Sequence, residues 1–134
     1  MELSNLMQTN LYEILDEEFK DLQKDSKGIA TVLITLIRKR ENIECQEIVA
    51  YLKNIQILCT QVKTKYLGSQ VIFKNFDNPA VNIFLYKLDD LLNTLSLNIT
   101  HILSTSNDSN LKANIVSLKN IARDIQYIKE NLVV

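Results

Sequence analysis

Apolar side chains recur along this chain at steps of three and four residues, the period of one face of an α-helix. The first periodic stretch runs from about residue 4 to residue 25, and Asn10 with Glu13 resembles a capping box at which the regular helix would begin. Its apolar positions are Leu3, Leu6, Met7, Leu11, Ile14, Leu15, Phe19 and Leu22. Gly28 follows the stretch, and helix ends favour a residue that adopts a left-handed conformation, so we expect the first helix to end there.

The next stretch, residues 29–40, is open to two interpretations. Its aliphatic run could form a buried strand, yet the apolar positions also share one helical stripe, namely Ile29, Val32, Leu33, Leu36 and Ile37. The basic run at residues 38–40 suits the negative end of a helix dipole, which favours the helix. The following stripe is out of phase, so we expect a break near residues 40–43 with Asn42 as a cap. The alternative is one bent helix over residues 28–67.

Two further stretches have the heptad pattern of a coiled-coil seam. The first seam, which ends at Gly68, consists of Cys45, Ile48, Leu52, Ile55, Cys59, Val62 and Tyr66. The second begins after Asn78 and Pro79, a cap followed by proline at the first helical position. It consists of Val81, Leu85, Leu88, Leu92, Leu95, Ile99 and Ile102, widened by Phe84 and Leu91.

The remaining segments are two polar connections and a last helix. Residues 69–78 form the main predicted irregular connection, with a short extended piece at 71–73, and residues 104–110 form a polar loop. The last helix buries Leu111, Ile115, Leu118, Ile121, Ala122, Ile125, Ile128 and Leu132. Only two glycines and one proline occur in the chain, which is typical of a fold with few tight turns.

These segments predict a single all-α domain over residues 1–134, since a chain of this length has the usual size of one domain. Helices of this length joined by short loops pack most simply as an antiparallel bundle, here of about four amphipathic helices with coiled-coil-like heptad seams. A more elongated pair of helical hairpins is the alternative.

Residues that could carry chemistry are scarce. His101, the single histidine, is expected at the surface near a helix end. Cys45 and Cys59 stand 14 residues apart on one helix, about 21 Å, which is too far for a disulfide, so buried free thiols are expected. No phosphate-binding glycine loop or metal-ligand spacing is present. We therefore predict no enzyme and no catalytic, metal or cofactor site.

The amino-terminal residues lack the basic and then apolar layout of a signal peptide, and no uncharged apolar run approaches the roughly 20 residues of a membrane span. We therefore expect an intracellular protein, cytoplasmic or nuclear.

Charge is unevenly distributed. Residues 1–25 hold seven acids against two lysines, a net of −5, whereas residues 26–76 hold eight basic residues against three acids, a net of +5. Basic residues interleaved with aromatic ones can bind nucleic acid. The candidate nucleic-acid-binding residues, all in the stretch 38–76, are Arg38, Lys39, Arg40, Lys63, Lys65 and Lys74. The simpler interpretation is that the acidic first helix lies against this basic segment, within the chain or in a partner.

The leading functional hypothesis is a non-catalytic adaptor or subunit that binds another protein or a second copy of itself. Several apolar residues lie off the main stripes, and exposed apolar patches usually mark contact surfaces. The candidate partner-binding residues are Ile57, Phe73, Phe76, Ile83 and Leu97. We expect a dimer or a hetero-complex, with an accessory protein that binds nucleic acid as the alternative.

Overall fold

The computed structural model describes residues 2–74 and 79–128, and it is 91% helical with no strand in those residues. The long helices are α1 (Glu2–Lys39), α2 (Cys45–Lys74) and α3 (Pro79–Thr105). Two short helices, α4 (Leu111–Asn114) and α5 (Lys119–Gln126), are joined by a 3₁₀ turn at Ile115–Leu118 and form a fourth helical unit. The predicted all-α fold is confirmed.

The helical units pack against one another in a closed circuit. α1 lies against α2 and α5, α2 also lies against α3, and α3 lies against α5. Side-chain contacts join the start of α2 to the end of α3: the Cys45 thiol donates to the carbonyl of Asp108, just past α3, over 3.5 Å. Further along α2, the Gln56 amide donates to the Ser96 carbonyl over 3.1 Å.

The structure corrects the predicted helix ends. α1 continues through Gly28, which is not a terminal residue, and it begins at Glu2 rather than at the capping box of Asn10. α2 likewise continues through Gly68 to Lys74, so the predicted irregular segment 69–74 and its extended piece are wrong. Glycine in a helix interior costs only about 1 kcal/mol, which long flanking helices with packed faces can offset.

The segment 29–37 is helical, as predicted, and the strand interpretation is wrong. The predicted break is also present, as a 3₁₀ turn at Arg40–Asn42 followed by extended backbone at Ile43, so residues 28–67 are not one bent helix. The Arg40 guanidinium donates to the Ile37 carbonyl over 2.7 Å at the end of α1. Asn42 does not cap α2, because that helix begins three residues later, at Cys45.

Pro79 is the first residue of α3, as predicted, while Asn78 lies outside the described residues. The polar loop also forms, since residues 106–110 separate α3 from α4. The last helix is not continuous, because a 3₁₀ turn interrupts it, yet its predicted apolar positions up to Ile128 are all buried. Leu132 lies outside the described residues.

The core is apolar and is supplied by all four helical units. The predicted second seam is buried at every described position from Leu85 to Ile102, and the first seam is buried from Ile48 to Val62. Cys45 and Tyr66, the two ends of the first seam, are half-buried. Ser26 is a buried polar residue, and its hydroxyl donates to the Leu22 carbonyl of its own helix over 2.6 Å.

Candidate functional site

Large apolar side chains remain exposed mainly on α2 and α3. The exposed side chains are Tyr51, Ile57 and Leu67 on α2, Ile83, Tyr86 and Leu97 on α3, and Tyr127 just after α5. The described side chains of α1, which run from Lys20 to Lys39 with Glu17, include no large exposed apolar residue. Among the described side chains, the large exposed apolar residues are therefore concentrated on α2 and α3.

Ile57 points away from the core. Ile55 and Cys59, two residues before and after it on α2, are 0% and 1% exposed, whereas Ile57 is 56% exposed. Two residues turn a helix by about 200°, so a side chain placed between two core positions must face outwards. The sequence-based expectation that Ile57 lies off the core stripe agrees with this position.

Ile83 and Leu97 share the outward side of α3. They are 57% and 70% exposed and are separated by 14 residues, which is close to four helical turns and about 21 Å. Tyr86 is 79% exposed one turn after Ile83, and the exposed acid Asp90 lies between these residues and Leu97. The outward side of α3 thus has an apolar position at each end and a charged position between them.

Polar contacts between side chains hold α3 beside α2, so the exposed apolar residues of these two helices lie on neighbouring elements. The Gln56 amide donates to the Thr100 hydroxyl over 2.8 Å, in addition to the Ser96 carbonyl. The Lys63 ammonium donates to the amide oxygen of Asn93, whose nitrogen donates to Asp89 over 3.2 Å. We call Ile57, Leu67, Ile83, Tyr86 and Leu97 the α2–α3 outer face.

Two candidate partner-binding residues cannot be placed on this face. Phe73 lies in the last turn of α2, but the structure describes only its backbone. Phe76 lies outside the described residues. In contrast, Leu67 and Tyr86 were missed by the sequence reasoning. Tyr86 could have been found from its spacing, since it lies three residues after Ile83 and therefore on the same side of the helix.

The candidate nucleic-acid-binding residues do not converge. Lys63 contacts Asn93 of α3, whereas Lys65 forms ion pairs with Asp25 and Asp21 of α1 over 3.0 and 3.9 Å. The two lysines therefore serve opposite flanks of α2. This arrangement supports the interpretation that the acidic first helix lies against the basic middle segment.

The other basic candidates lie far from these lysines in the folded protein. Arg38 and Lys39 are exposed at the end of α1, and Arg40 is half-buried with Glu41 at 3.7 Å from its guanidinium. Lys65 lies 20 residues into α2, which starts beside that end, so the two groups are separated by about 30 Å. The side chain of Lys74 lies outside the described residues.

The residues whose side chains could act in catalysis or bind a metal ion are dispersed as well. His101 is exposed on α3, and Cys59 is buried, where desolvation raises the pKa of its thiol to about 11. Burial, and secondarily Asp89, raises the pKa of Tyr66. Within residues 2–74 and 79–128, no three acidic, histidine or cysteine side chains are placed to hold a metal ion. In the same residues no helix has the length and apolarity required to cross a membrane.

Comparison of the chain with known protein families, with curated proteins and with solved structures finds no match.

Proposed function

We propose that this protein is a non-catalytic helical adaptor or subunit that binds another protein through the α2–α3 outer face. The observation that carries the proposal is the exposure of Ile57, Ile83 and Leu97, at 56%, 57% and 70%. Burying an aliphatic side chain of this size contributes roughly 1.5–3 kcal/mol, so a partner that covers these residues gains binding free energy from each. Tyr86, which combines a large apolar ring with a hydroxyl, is a residue type enriched at interfaces.

The scaffold of the proposed adaptor is an antiparallel four-helix bundle. Two observations support it: the closed circuit of packed helical units and the contacts that join the start of α2 to the end of α3. The buried heptad positions of α2 and α3 support coiled-coil-like packing of these two helices. A rigid bundle of this kind presents its outer side chains at fixed spacings, which is what a docking surface requires.

We further propose that the protein acts inside the cell, as part of a homo- or hetero-oligomeric complex. The two cysteines are unpaired and stand too far apart on α2 to form a disulfide with each other, so the fold does not depend on an oxidising compartment.

The proposal is tested by capture of a partner with matched variants. The protein is used as bait in its native cell extract as the wild type, as the double variant Ile57→Lys with Leu97→Lys, and as the control Asn120→Lys with Gln126→Lys. The control adds the same charge at exposed positions of α5, away from the α2–α3 outer face.

We expect the wild type and the control to retain the same partner in fixed proportion, and the double variant to retain at least about 10-fold less, since two buried lysines oppose docking. Circular dichroism and thermal unfolding verify that all three variants fold. Equal capture by the double variant would refute this face as the docking surface, and the absence of any stoichiometric partner would refute the adaptor function.

A further inference from the structure

A groove of about 530 Å³ opens between α1 and α2. Its floor consists of Gly28, Ile29 and Val32 of α1 and Leu58 and Val62 of α2. Gly28 has no side chain to fill the groove, and the groove is open at this point, since a Cβ added there would meet no other atom within 4 Å. Glycine weakens a helix interior, and no contact within the described part of the chain requires it at this position.

The groove lies between two outward stripes, one on each helix, whose members follow one another at steps of three and four residues. The stripe on α1 consists of Asp21, Asp25, Gly28, Val32, Thr35 and Lys39. The stripe on α2 consists of Glu47, Tyr51, Asn54, Leu58, Gln61 and Lys65. Steps of three and four residues are the spacing with which one helix packs along another. We call these two stripes the α1–α2 face.

Charged residues occur in the same order along both stripes of the α1–α2 face. Each stripe begins with acidic residues, Asp21 and Asp25 on α1 and Glu47 on α2, and each ends with a lysine, Lys39 and Lys65. Between these ends both stripes are uncharged, and Lys24, beside the stripe of α1, also lines the groove at the end that holds Asp25 and Lys65. The Lys65 ammonium already lies 3.0 Å from Asp25 within one chain, which shows that acid and base at this end of the face can approach closely.

This order makes the face complementary to itself. If a two-fold axis runs across the helices, Asp21 and Asp25 come opposite Lys39 of the second copy, and Glu47 comes opposite its Lys65. If the axis runs along the helices, Asp25 comes opposite Lys65 of the second copy and Lys39 opposite its Glu47. Both two-fold arrangements therefore place acids against bases, as an isologous interface requires.

We propose that the α1–α2 face is a homodimer interface in which a second copy of this chain occupies the groove above Gly28. The uncharged centre supplies the apolar contact through Val32, Leu58 and Tyr51, of which Tyr51 is 47% exposed in the single chain. The absence of a side chain at Gly28 lets the helices of the two copies approach closely. On α2 this interface borders the α2–α3 outer face, because Ile57 lies three residues after Asn54 and four residues before Gln61.

The dimensions of the face indicate a weak dimer. Each stripe spans 18 residue steps, about 27 Å, and two helices side by side are about 20 Å wide, so each copy buries roughly 540 Å². The total of roughly 1,100 Å² is at the lower limit of specific interfaces, and we expect a dissociation constant on the order of 10–100 μM.

The test is sedimentation equilibrium of the purified full chain over a concentration series that extends to about 500 μM, which exceeds the expected dissociation constant. The central variant is Gly28→Gln, which fills the groove with a flexible side chain while favouring the helix more than glycine does. Its control is Asn120→Gln, a change at an exposed position of α5 that lies outside both stripes and does not line the groove. A second variant, Glu47→Lys, places like charges opposite each other in both two-fold arrangements.

We expect the wild type and Asn120→Gln to dimerise with the same dissociation constant, and Gly28→Gln and Glu47→Lys to weaken the dimer at least about 10-fold. The melting temperature of Gly28→Gln, measured at a concentration where the wild type is monomeric, should be no lower than that of the wild type. Dimerisation unaffected by Gly28→Gln, or a wild type that remains monomeric throughout the series, would overturn the proposal. A dimer that Ile57→Lys with Leu97→Lys abolishes and Gly28→Gln leaves intact would also overturn it, and would assign self-association to the α2–α3 outer face.

Discussion

Gly28 has the local environment of an ordinary helical residue. It lies in α1 with helical residues on both sides, and space is free around its Cα. Sequence reasoning places glycine at helix ends because many helices end that way, but the cost of an internal glycine is too small to stop a helix. The type of residue therefore indicated a boundary where the fold has none.

Replacing Gly28 with alanine should stabilise the protein. The new methyl group meets no atom within 4 Å, and alanine is favoured over glycine in a helix interior by about 0.5–1 kcal/mol. We expect the melting temperature to rise by about 2–4 °C in thermal unfolding at low protein concentration. The reverse change at a neighbouring site, Ala30→Gly, should destabilise the protein by at least about 1 kcal/mol. A lower melting temperature for Gly28→Ala would contradict the helical conformation of this residue.

The two cysteines differ in their surroundings more than their equivalent seam positions predict. Cys59 is 1% exposed in the core, while Cys45, at the start of α2, is half-buried and its thiol donates to the Asp108 carbonyl. The expectation that both thiols are buried is therefore correct for Cys59 only. A seam position predicts which way a side chain points, but it does not predict whether the neighbouring helices reach as far as the helix end.

The native protein should accordingly have one accessible thiol and one protected thiol. Burial raises the pKa of Cys59 from 9.0 to about 11, which lowers its thiolate fraction near pH 8 by about 100-fold, in addition to blocking the reagent sterically. We expect Cys45 to react with a thiol reagent without denaturant and Cys59 to react only after unfolding. The variants Cys45→Ser and Cys59→Ala assign the two rates, and comparable rates in the native protein would show that the core around Cys59 opens readily.

At the scale of the helices, periodicity predicted the core well and the boundaries poorly. The positions from Ile48 to Val62 and from Leu85 to Ile102 are buried as expected, because a helix whose apolar residues share a stripe has only one way to bury them. The sequence predicts an irregular connection over residues 69–78, yet residues 69–74 continue α2. Tertiary packing routinely overrides the weak local preferences on which that assignment rested.

Two isoleucine-to-alanine variants on α2 test which side of this helix is buried and which is exposed. Ile55→Ala removes a side chain that is 0% exposed, and we expect a loss of about 2–5 kcal/mol from lost burial and the cavity left behind. Ile57→Ala, two residues later, removes the same atoms at a position that is 56% exposed, and we expect a change within about 0.5 kcal/mol. Urea unfolding at low protein concentration measures both. Equal losses would mean that Ile57 is covered by other parts of the protein.

At the scale of the whole molecule, the candidate docking surface could be predicted only in part. The sequence places Ile34, Ile57, Leu58 and Leu97 off the main stripes alike, yet Ile34 and Leu58 pack partly against the core, whereas Ile57 and Leu97 are exposed. Periodicity gives the direction of a side chain from its own helix. Whether an off-stripe side chain is buried depends on how far the neighbouring helices extend over it. The sequence of one helix does not contain that information.

The separation of charge along the chain has a similar explanation. The acidic residues 1–25 and the basic residues 26–76 meet through Asp21, Asp25 and Lys65. The uneven charge distribution, which first suggested a nucleic-acid partner, is thus partly neutralised between α1 and α2. Lys63 is also engaged, by Asn93 of α3, so the two central lysines of the basic segment already have partners within the protein.

Nucleic-acid binding should consequently be weak and strongly dependent on salt. Each phosphate contact releases counterions, so the affinity of a genuine nucleic-acid-binding protein falls steeply as the salt concentration increases. The slope of the logarithm of the affinity against the logarithm of the salt concentration is proportional to the number of phosphate contacts. Because Lys63 and Lys65 face opposite flanks of α2, and Arg38 and Lys39 lie at the end of α1 about 30 Å from Lys65, few of these residues can contact one nucleic-acid segment together. Fluorescence anisotropy with single-stranded and double-stranded oligonucleotides should give no dissociation constant tighter than about 100 μM at physiological salt, the weak end of non-specific binding. Micromolar binding that is lost when Lys63, Lys65 and Lys74 are replaced together by glutamine, and retained when Lys112 and Lys119 are replaced in the same way, would refute this expectation and establish the basic segment as a nucleic-acid-binding surface.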